Sequence, residues 1–112
     1  MASLKPKRGE VWWIVFDPAQ GTETKKQHPV IVLSNDISNT YLDRFQVVPL
    51  TSNTSRVYAS ECVVELKKQP GKVMADQLRT VSASRFGAKM CTLKPADLVA
   101  VEVVVRLQLG LS

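Results

Sequence analysis

The only histidine of the chain, His28, stands where chemistry on an anionic substrate could take place. It follows Lys25 and Lys26, and Pro29 comes directly after it. Because proline has no N–H for a strand ladder, Pro29 fits the first position of an apolar strand predicted at 30–33. A ring that can exchange a proton would therefore lie at the rim of a rigid strand, beside two cations. The alternative interpretation is a solvated loop in which the histidine has no role.

Two further groups of polar side chains could contribute to such a site. The first is a hydroxyl-rich loop at 51–55, directly after a predicted strand. The second interrupts an otherwise apolar pattern at 73–81, so its members need partners and form either a structural network or a site. The members are Thr51, Ser52 and Asn53 in the first group and Asp76, Gln77 and Arg79 in the second.

The composition predicts one globular domain with a basic surface. The chain has 112 residues, of which 45% are hydrophobic and 22% charged, and a formal net charge of +5 that favours polyanions, nucleic acid above all. Cys62 and Cys91 are too few and too far apart for a zinc site, so buried free thiols and no metal or cofactor are expected. No apolar run reaches the ~20 residues of a membrane helix and no signal-peptide pattern is present, so a cytoplasmic protein is expected.

Apolar runs and turn residues divide the chain into a flexible basic tail, 1–8, and a single domain, 9–112. Within the domain, strands are predicted at 11–16, 30–33, 44–50, 58–66 and 89–93, with one or two more in 73–81. The segment 67–72, which contains Pro70 and Gly71, is predicted to be a turn. Trp12 and Trp13 should lie on opposite faces of the first strand, so that at least one is near the surface or an interface. The polar loop 19–28 is longer than a hairpin loop usually is, a feature often linked to function.

A helix is predicted to begin at Pro95, which suits a first turn, and to end at Gly110. Its surface is apolar almost all round, so it should be covered on one side by the sheet and on the other by a second subunit. Short strands followed by one helix predict a mainly β protein (a β-rich α+β fold) built as a small antiparallel barrel with a C-terminal α-helix.

Several of these segments together resemble the MazF/PemK family of toxin ribonucleases. The matching segments are 8–12, the loop 16–23 with its Asp-Pro and Gly-Thr-Glu, the strand 28–34, and then 48–52, 75–81 and 93–95. The similarity extends from about residue 8 to 110, in the order and spacing of the family. No single segment is diagnostic, but their succession makes the match specific.

The resemblance implies an SH3-like barrel of the CcdB/Kid/MazF type that forms a homodimer. It also implies the toxin of a type II toxin–antitoxin system, which cleaves single-stranded RNA at specific sequences without a metal and is neutralised by a cognate antitoxin through an acidic, partly disordered segment. In such cleavage the 2′-OH attacks its own 3′-phosphate and leaves a cyclic phosphate, so RNA is cut and DNA is not. The reaction needs a base, an acid and a group that stabilises the phosphorane.

By position in the family's motifs, Thr51 matches the active-site threonine and Glu23 the acid of the loop. His28 takes the place of the family's catalytic arginine, and Met74 stands where some members have another arginine. The resemblance thus implies His28, Thr51 and Glu23 as catalytic residues. The residues expected to bind RNA are Lys25, Lys26, Gln27, Ser52, Asn53, Asp76, Gln77 and Arg79.

Two other functions are compatible with the same barrel. One is a weakly catalytic or non-catalytic module that holds RNA or the antitoxin. The other is a CcdB-like topoisomerase poison, because the toxins that inhibit gyrase resemble this fold. The basic loop at 19–28 and the hydroxyl-rich loop at 51–55 favour RNA over a topoisomerase, whose toxins rely on residues near the end of the helix.

Overall fold

A computed structural model of the chain describes residues 5–15 and 27–111. This part of the chain folds into seven strands, two α-helices and two single-turn 3₁₀ helices, Ala75–Gln77 and Ala83–Arg85. The strands are β1 (Glu10–Ile14), β2 (His28–Val32), β3 (Arg44–Thr51), β4 (Glu61–Leu66), β5 (Gln69–Met74), β6 (Arg79–Ser82) and β7 (Phe86–Thr92). The helices are α1 (Asp36–Tyr41) and α2 (Pro95–Leu109).

Strand β3 organises the sheet because it has two different partners along one of its edges. Its first four residues pair with β6, and its last two pair with β5. Its other edge pairs with β2, and every pairing is antiparallel, in the order β4-β5-β3-β2-β1-β7 with β6 attached to β3. Sharing β3 between two sets of strands curls the sheet into a half-barrel. The predicted mainly β fold, an antiparallel barrel with a C-terminal helix, is confirmed.

Pro49 lies inside β3 at the point where the strand changes partners. The amide of Leu33 donates to the carbonyl of Gln46, so these two residues form a hydrogen-bonded pair. From this pair onward, pairs with and without hydrogen bonds alternate along β2 and β3, and Val30 and Pro49 form a pair without them. The ring nitrogen of Pro49 therefore faces the other edge, between the last β6 pair and the first β5 pair, where no ladder requires its N–H.

Both faces of the sheet are buried, because side chains alternate between two clusters. One cluster lies between the sheet, the β4–β5 hairpin and α2, and includes Val11, Ile31, Val48, Val73 and Val101. The other lies on the opposite face and includes Trp12, Val30, Phe45, Val47 and Val81, with Phe86 packed edge-on against Phe45 at a ring-centroid distance of 5.0 Å. A strand residue can therefore be assigned to a face by counting in twos.

Helix α2 covers the first cluster with one side only. Pro95 opens it, and Gly110 ends it in the left-handed conformation (φ 71°), as predicted. Val101 and Val104 are buried, whereas Val99, Val103 and Leu107 lie one turn apart and remain 58%, 54% and 56% exposed. The sheet thus covers one side of the helix, and a second subunit on the other side stays a prediction. No helix in residues 5–15 and 27–111 is long and apolar enough to span a membrane.

The segment 67–72 was predicted to be a turn, and this prediction is wrong for most of it. The turn consists of Lys67 and Lys68 alone, and Pro70 and Gly71 belong to β5. Pro70 is tolerated there because β5 pairs with β3 only at its far end, so this part of the strand has one open edge. Gly71 is required by packing, since a Cβ at this position would lie 2.6 Å from a methyl carbon of Leu66.

Residues 5–8, part of the predicted flexible tail, contact the domain. The ammonium of Lys5 donates to the carbonyl of Thr40 over 2.7 Å, and the amide of Arg8 donates to the carboxylate of Asp36 over 2.8 Å. The Arg8 guanidinium also forms an ion pair with Glu102. Residues 1–4 lie outside the described part of the chain.

Cys62 and Cys91 are free thiols, and both are half-buried. Burial raises the pKa of Cys62, and the nearby charge of Asp97 acts in the same direction. The Cys62 thiol therefore stays neutral, and it packs at the edge of the first cluster as a small apolar side chain.

Candidate active site

His28 and Thr51 meet at one end of the sheet. His28 is the first residue of β2, where it pairs with Ile14 of β1, and Thr51 is the last residue of β3. The β2–β3 ladder ends with Val30 and Pro49, and continuing its register by two residues puts His28 opposite Thr51. Both residues line two cavities, of about 450 Å³ and 400 Å³. Because the cavities share these residues, they adjoin and form one groove, called here the His28–Thr51 groove.

The larger cavity collects polar side chains from four elements. Besides His28 and Thr51 it is lined by Gln77, at the end of a 3₁₀ turn, and by Arg79, at the start of β6. Met74 also lines it, and the Gln77 amide nitrogen lies 3.5 Å from its sulfur. A hydroxyl, an imidazole, an amide and a guanidinium thus surround one cavity. These groups suit contacts with a phosphate and with base edges.

The smaller cavity is mainly apolar and extends in the other direction from His28 and Thr51. Trp13 and Met90 contribute to it from β1 and β7, and Ser52 and Gln69 add polar groups. Trp13 is half-buried while Trp12 is buried, so the predicted division of the two tryptophans between the faces is confirmed. A partly exposed indole beside a polar groove is a surface on which an unstacked base can lie.

The loop that follows Thr51 is fixed by hydrogen bonds within its first turn. The amide of Asn53 donates to the Thr51 hydroxyl oxygen over 3.2 Å. The Asn53 side-chain oxygen in turn accepts the amide and the hydroxyl of Ser55, over 3.2 and 2.8 Å. Because the Thr51 oxygen already accepts this N–H, its own proton is directed elsewhere and can be donated to a bound group.

A buried lysine anchors the far end of the same loop. Lys72 pairs with Thr51 across β5 and β3, and it is only 9% exposed. Its ammonium donates to the carbonyl of Arg56 over 2.9 Å and lies 3.5 Å from the Glu61 carboxylate. Sequence reasoning missed Lys72 and Glu61, because only the pairing of β5 with β3 shows that this lysine is a neighbour of Thr51.

The predicted site residues have three different outcomes. Five of them line the groove, namely His28, Thr51, Ser52, Gln77 and Arg79. Gln27, Asn53 and Asp76 are exposed and line neither of its two cavities. Glu23, Lys25 and Lys26 lie outside the described residues. Asp76 and Gln77 belong to the 3₁₀ turn between β5 and β6, so the one or two strands predicted in 73–81 are the end of β5 and the start of β6.

Within residues 5–15 and 27–111, no three side chains of His, Cys, Asp or Glu are grouped so that they could hold a metal ion. The groove therefore offers donors and a titratable ring to a substrate, all of them supplied by side chains. Trp13, Gln69 and Met90 line it as well, and sequence reasoning missed them as site residues. Only the curl of the sheet brings β1, β5 and β7, which carry these three residues, to the groove.

Comparisons with known proteins show the family to which the chain belongs. The family model of PemK-like, MazF-like toxins of type II toxin–antitoxin systems matches residues 7–109. Endoribonuclease MazF9 of Mycobacterium tuberculosis is 31% identical over 114 residues, covering 94% of this chain and 97% of the relative. Endoribonuclease toxin MazF of Escherichia coli K12 is 29% identical over 106 residues, covering 94% and 95%.

A solved MazE–MazF structure (Form-II) from Deinococcus radiodurans superposes with a TM-score of 0.80 at 25% identity, over 98% of this chain and 100% of that chain. Sequence and fold therefore agree over almost the whole length, and three of the segments that resemble the family, 28–34, 48–52 and 75–81, contribute residues to the His28–Thr51 groove. The chain belongs to the PemK-like, MazF-like toxin family of type II toxin–antitoxin systems.

Proposed function

We propose that this chain is a metal-independent endoribonuclease that cuts single-stranded RNA at specific sequences, as the toxin of its toxin–antitoxin pair. One observation carries the proposal: three motifs far apart in sequence contribute His28, Thr51 and Arg79 to a single groove. The relatives named endoribonuclease cover more than nine-tenths of the chain, which supports the same activity. The cytoplasm, where RNA is accessible, is the proposed compartment.

The proposed reaction is an in-line displacement at phosphorus. The 2′-oxygen forms a bond to the phosphorus atom, the bond from phosphorus to the 5′-oxygen breaks, and the products carry a 2′,3′-cyclic phosphate and a 5′-hydroxyl. His28 and Glu23 would share the two proton transfers, one taking the 2′ proton and the other protonating the leaving 5′-oxygen. The Thr51 hydroxyl would donate a hydrogen bond to a non-bridging oxygen as negative charge develops there.

The remaining polar residues would hold the RNA on either side of the cleaved bond. Lys25 and Lys26 supply charge for phosphates, and Gln27, Ser52 and Asn53 add hydrogen-bonding groups at the rim. Asp76 and Gln77, in the turn before β6, would read base edges, since single-stranded bases expose those edges. Arg79 completes the RNA-binding set from within the groove.

Mapping the products tests this function directly. Purified protein is incubated with a long single-stranded RNA in EDTA, and both ends of every fragment are determined. We expect cuts at a recurring sequence, with cyclic phosphate at one new end and hydroxyl at the other. RNA that is bound but stays intact would contradict the endonuclease function and favour a module that only binds RNA. Cuts that also appear with Thr51→Ala would indicate a contaminating nuclease.

We propose two protein partners. The first is a second copy of this chain, packed on the exposed apolar side of α2 that carries Val99, Val103 and Leu107. The second is an antitoxin with an acidic, partly disordered segment that competes with RNA for the basic loop 19–28. If reversing Lys25 and Lys26 to glutamate left antitoxin binding unchanged at low salt, the second idea would fail.

A further inference from the structure

The proposed reaction requires positive charge beside the phosphorane, and the groove supplies it from an unexpected position. Neither His28 nor Met74, which take the places of the family's arginines, carries a permanent charge. Among the described residues that line the two cavities, only Arg79 is a permanent cation. The following inference rests on the proposed function and names the residue that provides this charge.

The backbone brings Arg79 to the same face of the sheet as His28 and Thr51. Arg79 pairs with Val47, and counting in twos along β3 from Val47 reaches Thr51. Counting in twos along β2 from Val30, which is buried on the face of Val47, reaches His28. All three side chains therefore lie on the face of the sheet that carries the second cluster, at positions outside the buried cluster itself.

The spacing also fits a substrate between these groups. Val47 and Thr51 are four residues apart, which is about 13 Å of extended strand. Arg79, which lies beside Val47, and Thr51 therefore approach the cavity from two sides. His28 approaches it from β2. A phosphate in this cavity could meet a guanidinium on one side and a hydroxyl and an imidazole on the other.

Lys72 is the competing cation, because it pairs directly with Thr51. Its ammonium, however, points beneath the loop, where the carbonyl of Arg56 and the carboxylate of Glu61 compensate its charge. It is 9% exposed and lines neither cavity, whereas Arg79 is exposed at the groove. The charge of Lys72 is thus committed to the fold, and Arg79 is the cation whose side chain lines the groove.

We infer that Arg79 is a catalytic residue that stabilises the charge of the phosphorane. Its planar guanidinium donates two N–H groups to the non-bridging oxygens, and these bonds strengthen as the attacking 2′-oxygen adds charge. His28 then has to transfer a proton only, and Thr51 fixes the phosphate. In this division of roles, Arg79 of β6 supplies the positive charge and His28 of β2 transfers the proton.

Single-turnover kinetics separate this role from simple RNA binding. The substrate is an oligoribonucleotide carrying one mapped cleavage site, and affinity is measured with the same oligonucleotide bearing 2′-deoxy sugar at that site. We expect Arg79→Ala to lower the rate at saturating RNA by about 10²–10³-fold. The dissociation constant should rise by less than about tenfold, as expected for the loss of one phosphate contact. Arg79→Lys should recover part of the rate, because it restores charge without the fork.

Arg44→Ala is the matched control, because Arg44 is an exposed arginine at the opposite end of the same β3–β6 ladder. It should leave the saturated rate unchanged. Arg79→Gln, which keeps the length of the side chain, replaces Arg79→Ala if the alanine variant does not fold. The inference would be overturned if the Arg79 variants bound RNA more weakly than the parent but cut saturating RNA at the same rate. Arg79 would then be a binding residue.

A rescue experiment gives an independent readout. Guanidinium ion added to Arg79→Ala can take the place of the lost side chain while His28 stays intact, so it should raise the single-turnover rate of Arg79→Ala by at least about tenfold and leave that of Arg44→Ala unchanged. No rescue would count against a charge-supplying role for Arg79. A parent protein that does not cut RNA at all would refute the proposed function itself, a result distinct from an Arg79 variant that cuts like the parent.

Discussion

His28 and Thr51 lie at opposite ends of their strands, yet they meet at the same point of the groove. His28 begins β2 and Thr51 ends β3, and the antiparallel register carries them toward each other. Each side chain lines both cavities, so both would contact a substrate that runs along the groove. Their backbones are held by ladders on β1 and β5, which makes the imidazole and the hydroxyl a rigid pair.

Proton transfer by His28 should be required for cleavage. His28→Ala should remove most of the single-turnover activity, because no group at this place of the groove can then exchange a proton. His28→Lys should restore charge but no proton transfer, so its rate should stay low. If His28→Ala cuts as fast as the parent, the histidine is not catalytic.

Thr51→Ala should lower the single-turnover rate by about 10²-fold, which is the effect of losing one hydrogen bond made in the transition state. The melting temperature should hardly change, because the hydroxyl lies at the rim and packs against no core residue. Thr92→Ala, at an exposed position of β7, is the control and should cut normally. An affinity loss as large as the rate loss would make Thr51 a binding residue.

Lys72→Met should destabilise the protein by about 1–3 kcal/mol, because Glu61 would lose the partner of a largely buried charge. The cleavage rate should fall as well, since the loop after Thr51 loses its anchor at Arg56. Urea denaturation measures the first effect. Lys68→Met, at the exposed hairpin turn, is the control and should change stability little.

A double-mutant cycle completes this test. Lys72→Met combined with Glu61→Gln should cost less than the sum of the single changes, because removing both charges leaves neither unpaired. Strict additivity would show that the two side chains do not interact in solution.

Glu10→Gln should lower stability at pH 7 by about 1–2 kcal/mol. Burial raises the pKa of Glu10, but hydrogen bonds from Trp12, Lys7 and Lys89 outweigh it and hold the pKa below its ordinary value of 4.5. A lowered folded-state pKa stabilises the protein above that ordinary value, and the contribution is lost as the pH falls through the folded-state pKa.

The difference between the parent and Glu10→Gln should therefore be largest near neutral pH and shrink in acid. Thermal unfolding from pH 7 to about pH 3 measures it. Glu65→Gln is the control, because the Glu65 side chain is 62% exposed in its ion pair with Lys94. A gap between parent and Glu10→Gln that stays constant with pH would contradict this account.

Val103→Glu should convert a dimer into a monomer. Val103 lies between Val99 and Leu107 on the uncovered side of α2, and a charge there cannot be buried against a second copy without a large cost. Sedimentation at micromolar concentration should show a dimer for the parent and for Gln108→Glu, an exposed polar position on the same helix. A monomeric parent would contradict the proposed packing.

Local patterns in the sequence determined the strands, the C-terminal helix and several members of the site. Pro29 followed by apolar residues marked the start of β2, and Pro95 and Gly110 marked the ends of α2. These features depend on neighbours in the chain, such as a missing N–H or a left-handed cap. The family motifs also pointed to Thr51 by its residue type and to His28 by its position, where the family has an arginine.

Only the tertiary structure decided where Arg79 and Lys72 lie. The motif at 75–81 pointed to Arg79 as a residue that binds RNA, but Lys72 stood in a segment predicted to be a turn, and no local pattern indicated that it is buried. The β3–β6 pairing brings Arg79 to the cavity, whereas the β4–β5 hairpin buries Lys72 against Glu61. The same hairpin placed Pro70 in a strand, against its turn propensity. Strand pairing joins residues distant in sequence, and shifting a register by one residue moves a side chain to the other face, so these outcomes depend on the assembled sheet.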